Sequence, residues 1–231
     1  MARHVLFTSQ KGGVGKSTLA RSTAVALACG GRKVLLADFD AEQRTCLHWH
    51  AQRQARRLEP TIAAAKFSKE AKLDRVAHDY EDVVVDTRGH QDSLTLDLAK
   101  ASDVIFLPSS FSLDDIFPTL MVVEALRNAG IPAARVAVVF CRTGGSARQA
   151  QQARSILKMN DIVALDAALP QRDGFALLSA TGRTGREAPN SALKAIAKAV
   201  DQALLQFIEA ATLGSGEVFG QPGHHGATIL F

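Results

Sequence analysis

The run QKGGVGKST at Gln10 to Thr18 constrains this chain more than any other stretch, because it places two lysines in one glycine-rich loop. Gly12, Gly13 and Gly15 leave backbone N–H groups bare. The loop can then wrap a polyphosphate and adopt positive φ, both of which a Cβ would obstruct. Lys16 stands where a phosphate-loop lysine stands, and Lys11 is an additional cation. Val5, Leu6 and Phe7 precede the loop and a helical pattern begins near Ser17, which is the strand–loop–helix context such a motif requires. Gly12, Gly13, Val14, Gly15, Lys16, Ser17 and Thr18 are therefore the expected phosphate contacts, Thr18 reaching the α-phosphate.

The same alternation continues along the chain. Apolar runs at 3–9, 33–38, 82–86, 103–108 and 135–140, with weaker ones near 61–65 and 163–166, predict strands. Helices are predicted to start near Ser17, Cys46, Ser68, Asp92, Ser112, Ser146, Arg172 and Pro189. Ser112 and Ser146 have the character of N-caps, and Gly30-Gly31 of a C-terminal cap. Repeated β-α units of this kind predict an α/β fold: a doubly wound, mostly parallel sheet with helices on both faces. A single domain is expected over 1–211, followed by a flexible tail, 212–231, in which glycine and proline break any periodicity. His224-His225 could bind a metal and Ile229-Leu230-Phe231 could dock, but a solvated pair and a loose end are the plainer expectations.

Composition narrows the setting. With 47% hydrophobic and 22% charged residues the chain is ordinary for a globular domain, and no stretch approaches the ~20 apolar residues of a membrane span. The N-terminus leads straight into the first strand with no room for a signal segment, so a cytoplasmic location is expected. Three widely spaced cysteines, Cys29, Cys46 and Cys141, form neither a disulfide framework nor a CxxC site and are read as reduced thiols. The net charge of +4 is modest. Its distribution is less so, since Arg142, Arg148, Arg154, Lys158, Arg172, Arg183, Arg186, Lys194 and Lys198 make the C-terminal half basic short of the tail.

A phosphate loop works with magnesium, and Ser17 is placed to supply a hydroxyl ligand. Val83-Val84-Val85-Asp86 ends an apolar strand in an acid, the expected second metal-binding group. Another strand ends in Asp38-Phe39-Asp40, and alternation along an extended segment puts both carboxylates on one side. Asp38 is assigned to the metal shell and Asp40 to positioning the attacking water, so that Lys11, Lys16 and Asp40 form the expected catalytic set.

KGGVGKST, VLLADFDAEQ and VVVDTRG, in this order and spacing, resemble the ParA/MinD family of P-loop ATPases with a deviant Walker A motif, from about Arg3 to Glu209. The resemblance implies the P-loop NTPase fold, with ATP and Mg2+ as ligands. It also implies a homodimer dependent on ATP, in which Lys11, matching the signature lysine, crosses to the other subunit's phosphates as an arginine finger would. Leu169-Pro170-Gln171-Arg172 is similar to the family's adenine-contacting stretch, and Arg142 follows a strand where relatives place a base contact. Pro170, Arg172 and Arg142 are thus the expected base contacts. Thr87-Arg88-Gly89-His90 departs from the prolines most ParA proteins carry after the metal-binding aspartate and resembles ParA-like proteins of conjugative transfer and virulence regions.

The smaller ParA-like branch implies non-specific DNA binding in the ATP state, on residues such as Arg148, Lys158, Arg183, Arg186, Lys194 and Lys198. Hydrolysis would be stimulated by a ParB-like or other adaptor, and cargo is positioned or partitioned. A MinD-like membrane-associated ATPase is the alternative. It would need a basic C-terminal amphipathic helix, whereas the apolar stripe at Val200, Ala203, Leu204, Phe207 and Ile208 has only acids and glutamines between and reads as core packing. No membrane partner is expected. A metal-cluster carrier would need paired cysteines, and a small-molecule synthetase a further domain. His48-Trp49-His50 with Arg53, Arg56 and Arg57 reads as a solvated basic helix face with Trp49 partly buried.

Overall fold

The computed structural model describes residues 1–40, 42–89 and 93–214. In chain order its elements are β1 (Arg3–Phe7), α1 (Lys16–Cys29), β2 (Val34–Asp38), α2 (Thr45–Ala55), β3 (Ala63–Lys66), α3 (Glu70–Ala77) and β4 (Asp82–Asp86). There follow α4 (Ser93–Ala101), β5 (Val104–Ser109), α5 (Leu113–Asn128), β6 (Val136–Thr143), α6 (Ala147–Met159), β7 (Val163–Pro170), α7 (Asp173–Ala180) and α8 (Ser191–Thr212). The strands form one seven-stranded sheet, ordered β3-β2-β4-β1-β5-β6-β7. Every pairing in it is parallel.

Because successive strand residues point to opposite faces, each apolar run feeds two cores. Val5 and Phe7, Leu36, Val84 and Phe106 face α1, α2 and α8, where Leu19, Val25, Trp49, Leu204 and Phe207 cover them. Leu6, Leu35, Val83, Val85, Ile105 and Leu107 face the other side, covered by Leu73, Leu98, Ile116, Leu120 and Leu157 of α3 to α6. Phe7 stacks on Phe106 at 5.2 Å, and Phe106 meets Phe207 at 5.6 Å, which seats α8 on the middle of the sheet. The apolar stripe of α8 is core packing, as its sequence suggested. Among the described residues no helix is long and apolar enough to cross a membrane.

The caps are as expected. Ser112 Oγ accepts from the Asp114 N–H, Ser146 and Gln149 form a reciprocal capping box, and the Gly30 N–H closes α1 on the Leu27 carbonyl. Asn190, not noticed in the sequence, caps α8. The expected α4 start at Asp92 lies outside the described residues, as do Ala41, His90 and the tail residues His224, His225 and Ile229 to Phe231.

Strand ends differ from expectation where the functional loops begin. β1 stops at Phe7 instead of 9, although the Thr8 N–H still donates to the Phe106 carbonyl of β5 at 3.1 Å before the phosphate loop begins. β6 and β7 run on to Thr143 and Pro170, through register shifts beside Arg142, whose φ of 54° is left-handed. Asp38 pairs directly with Asp86 across β2 and β4. The two acids thus meet at the carboxyl end of the sheet, the end at which parallel α/β folds place their ligands.

Candidate functional site

A cleft of about 470 Å³ opens there, lined by the loops after β1, β2, β4, β6 and β7. Its floor is the phosphate loop. Gly13 and Gly15 hold φ of 76° and 107°, and Gly15 caps α1 with no side-chain acceptor, leaving the first-turn N–H groups to a ligand. Gly12, Gly13, Gly15, Lys16, Ser17 and Thr18 line the cleft, whereas Val14 is buried and does not.

The two lysines part company. Lys16 is buried, its Nζ donating to Ser9 Oγ at 3.0 Å and to the Lys11 carbonyl at 3.2 Å. Burial lowers its pKa, against the opposing charges of Asp86 and Asp40. Lys11 turns out of the cleft: its Nζ sits 2.6 Å from Asp115 Oδ1 on α5, and half of its side chain is exposed.

Asp86 is fully buried beneath the loop. Its Oδ2 accepts from Cys46 Sγ at 3.1 Å, while Oδ1 has no hydrogen-bond partner among the described residues. Burial pushes its carboxyl up to about 6, with the Ser17 hydroxyl and the Cys46 thiol pulling the other way. A buried, unsatisfied carboxylate oxygen beside a serine hydroxyl fits a hydrated divalent cation. Among the described residues no group of three or more His, Cys, Asp or Glu side chains makes a self-contained metal centre. Magnesium held by one or two protein ligands plus substrate phosphates needs none.

Asp38, also fully buried, has both oxygens engaged by backbone: Oδ1 accepts from the Asp40 N–H at 2.9 Å, and Oδ2 from Cys46 and Leu47 at 3.2 and 3.3 Å. It organises the turn and the first turn of α2 from below. Asp40, unlike Asp38 and Asp86, lines the cleft, and its Oδ1 accepts from the Gln43 N–H at 3.0 Å.

Arg142, Pro170 and Arg172 all line the opposite wall, and Arg142 Nη1 donates to the Gly13 carbonyl. Several site residues escaped the sequence reading. A Cβ on Gly89 would lie 2.8 Å from the Gly12 nitrogen, so the loop after Asp86 packs directly on the phosphate loop. Cys141 lies against Gly15, and Phe175, Ser179 and Arg21 complete the wall. Only the glycine beside VVVDTR left any local trace.

The helix face read as solvated is so only in part: His48, Arg56 and Arg57 are exposed, whereas His50 and Arg53 turn inward. Trp49 and Arg53 are buried. Arg53 Nη1 donates to Glu187 Oε1 at 2.9 Å and to the Gly182 carbonyl at 3.2 Å. Trp49 Nε1 donates to the Arg183 carbonyl at 3.1 Å. Arg186, expected at the surface, lies 3.6 Å from Asp201, where the turn Gly185–Glu187 packs on α8. Arg148, Lys158 and Lys198 are exposed, and Lys194 and Arg183 partly so.

A phosphate loop at the carboxyl ends of an all-parallel sheet, with a buried acid on the adjacent strand, defines a P-loop nucleotide-binding domain. Residues 5–185 match the model of the CobQ/CobB/MinD/ParA nucleotide binding domain, and the chain belongs to that family. It is similar in structure to the septum site-determining protein MinD of Pyrococcus horikoshii complexed with Mg-ADP (19% identity, TM-score 0.68, covering 94% of this chain and 98% of that one). The ATP complex of a variant McdA of Cyanothece is also similar (15%, 0.68, 88% and 96%), as is a ParA family ATPase of Chlorobium tepidum (18%, 0.68, 88% and 99%). At these identities the likeness is one of fold. No curated protein sequence matches the chain.

Proposed function

We propose that the chain is a ParA-type ATPase that closes as a dimer around two ATP molecules, binds DNA non-specifically in that state, and positions or partitions a cargo when an adaptor stimulates hydrolysis. The observation that carries this reading is the division between the lysines: Lys16 is buried at its own phosphate loop, while Lys11, five residues earlier, leaves its own cleft and stands half exposed at its rim. A cation so placed can serve a second subunit's phosphates.

Magnesium, when bound, offsets charge on the β- and γ-phosphates. Ser17 Oγ and Asp86 Oδ1 would hold it, with Asp38 keeping the turn in place behind them. Backbone N–H groups of Gly13 to Thr18 and the Lys16 ammonium bind the phosphates. Asp40, on the cleft wall, orients the attacking water, and positioning with charge compensation is most of what phosphoryl transfer asks of a protein. Pro170, Arg172 and Arg142 border the base. Arg148, Lys158 and Lys198 are the exposed candidates for phosphate contacts on DNA, in the cytoplasm and over the nucleoid. A ParB-like or other adaptor completes the cycle.

The test uses an Asp40→Ala chain, expected to bind ATP and hydrolyse it slowly. In Mg2+ and ATP it should sediment as a dimer and shift a random DNA duplex, with affinity falling steeply as salt rises. It should remain a monomer in ADP. Monomers alone across a wide range of protein concentration in ATP contradict the proposal.

A further inference from the structure

Arg21, on α1 just beyond Ser17 and Thr18, is only 7% exposed, although the phosphate-loop motif calls for no cation there. Its guanidinium is tied at three points. Nε donates to the Ser17 carbonyl at 2.7 Å, Nη1 donates to Ser179 Oγ at 2.9 Å, and Cζ lies 5.8 Å from the centre of the Trp49 ring. One side chain thus joins the phosphate-binding end of α1 to α7 and α2.

α7 itself is lightly packed, although the Gly182-Arg183 turn that follows it is held by Arg53 and Trp49 of α2. None of its residues is buried, and Leu177 is 70% exposed, yet Phe175, Ala176 and Ser179 form one wall of the cleft beside Pro170 and Arg172. Phe175 packs on the turn at Gly185, where an added Cβ would come within 2.7 Å of its ring. A short helix with little buried surface opens easily unless something fixes it.

We propose that Arg21 is a positioning residue that sets the site's affinity for the nucleoside half of its ligand, by clamping α7 through Ser179 while its other arm is registered to the phosphate loop. The inference rests on the nucleotide reading above and deepens it. A charge-assisted hydrogen bond orders the wall before the base arrives, so the ordering cost does not come out of the binding free energy. The phosphates, held by the loop N–H groups and Lys16, do not depend on α7.

The test is calorimetric titration in Mg2+ with two ligands, ATP and inorganic tripolyphosphate, which lacks the nucleoside. Arg21→Ala should weaken ATP about thirtyfold and Ser179→Ala about fivefold, with tripolyphosphate within about twofold of the parent in both. Arg21→Lys, which keeps the charge but not the fork, should fall between the parent and Arg21→Ala. Equal losses for both ligands would mean that Arg21 supports the phosphate loop, and unchanged ATP affinity would mean that it supports nothing at the site; either overturns the proposal. Ser179→Ala, which removes one hydroxyl from a partly exposed helix, decides alone if Arg21→Ala does not fold. A parent chain that binds neither ligand overturns the nucleotide reading itself, a different result from variants that lose both.

Discussion

Lys11 Nζ lies 2.6 Å from Asp115 Oδ1, so the extra lysine of the phosphate loop is berthed on the first turn of α5. Pro118 helps make the berth. Lacking an N–H, it cannot bond the Asp114 carbonyl, which lies 3.5 Å from Lys11 Nζ. Ser110 Oγ, 2.6 Å from Asp115 Oδ2, fixes the carboxylate from the other side. Burial pushes the Asp115 carboxyl up, but the hydrogen bonds from Lys11 and Ser110 and the Lys11 charge outweigh it and leave it below the usual range.

An exposed ion pair of this kind is weak, and a dimer in which Lys11 reaches across must break it. Asp115→Ala should therefore favour the ATP dimer, lowering its dissociation constant by roughly two- to fivefold. Sedimentation velocity over a concentration series in ATP reads the change. A weaker dimer in the variant would show that Asp115 presents Lys11 to the partner instead of restraining it.

Exchanging each lysine for alanine should separate the two roles. Lys16→Ala removes the buried cation of the cleft and should abolish ATP binding. Lys11→Ala should bind ATP almost as the parent does, yet fail to dimerise and turn over. Equilibrium nucleotide binding and phosphate release, measured on the same preparations, distinguish them; a Lys11→Ala chain that turns over normally would falsify the in-trans assignment.

Gly89→Ala is a test of the close approach between two loops. The new Cβ would stand 2.8 Å from the Gly12 nitrogen, and overpacking of that sort costs about 1–3 kcal/mol. Since the partner is the phosphate loop, ATP affinity should fall roughly tenfold, and the melting temperature by roughly 2–10 °C. Nucleotide titration and thermal unfolding check both halves.

Asp201 should leave a signature in the pH dependence of stability. It is buried on α8, accepts from Ser22 Oγ at 2.6 Å and faces Arg186 at 3.6 Å. Burial raises its carboxyl to about 6, against the Ser22 hydrogen bond and the Arg186 charge. Between pH 4 and 6 the folded chain then holds this proton more tightly than the unfolded chain. The contribution is complete below about pH 4 and is lost as the pH rises through 6, by roughly 3 kcal/mol at most. Asp201→Asn should lack that component, so from pH 4 to 6 urea unfolding should show the parent losing stability relative to the variant, with the two running parallel below and above this window.

Arg53→Ala should cost roughly 2–4 kcal/mol, because it removes a buried cation from the partly buried Glu187 carboxylate, which keeps only its Thr184 bonds, and leaves the Gly182 and Pro60 carbonyls without that donor. A solvated face would tolerate it. The urea midpoint at unchanged slope gives the number.

Much of this was legible in the sequence because it is local. Continuous apolar runs such as VLF and VVVD gave the strands of a sheet buried on both faces, and the loop composition gave the phosphate site. Asp38, Asp40 and Asp86 were recognisable as strand-ending acids, but their division of labour was not. Asp38 spends both oxygens on backbone N–H groups, Asp86 keeps one free, and that depends on which segments pack beside each. Arg53 and Arg186 failed as surface cations for the same reason, their acidic partners Glu187 and Asp201 being supplied by other elements.

By itself the sequence determined that the chain alternates strand and helix, and that a loop with two lysines and bare N–H groups opens the first helix, because hydrophobic periodicity and glycine's missing Cβ act over a few residues. Only the tertiary structure decided where Lys11 is berthed, which acid stays unsatisfied, and that Arg21 ties α7 to the phosphate loop. Lys11 meets Asp115 across 104 positions and Arg21 meets Ser179 across 158, separations over which the choice of partner is made by sheet order and by the burial that follows from it.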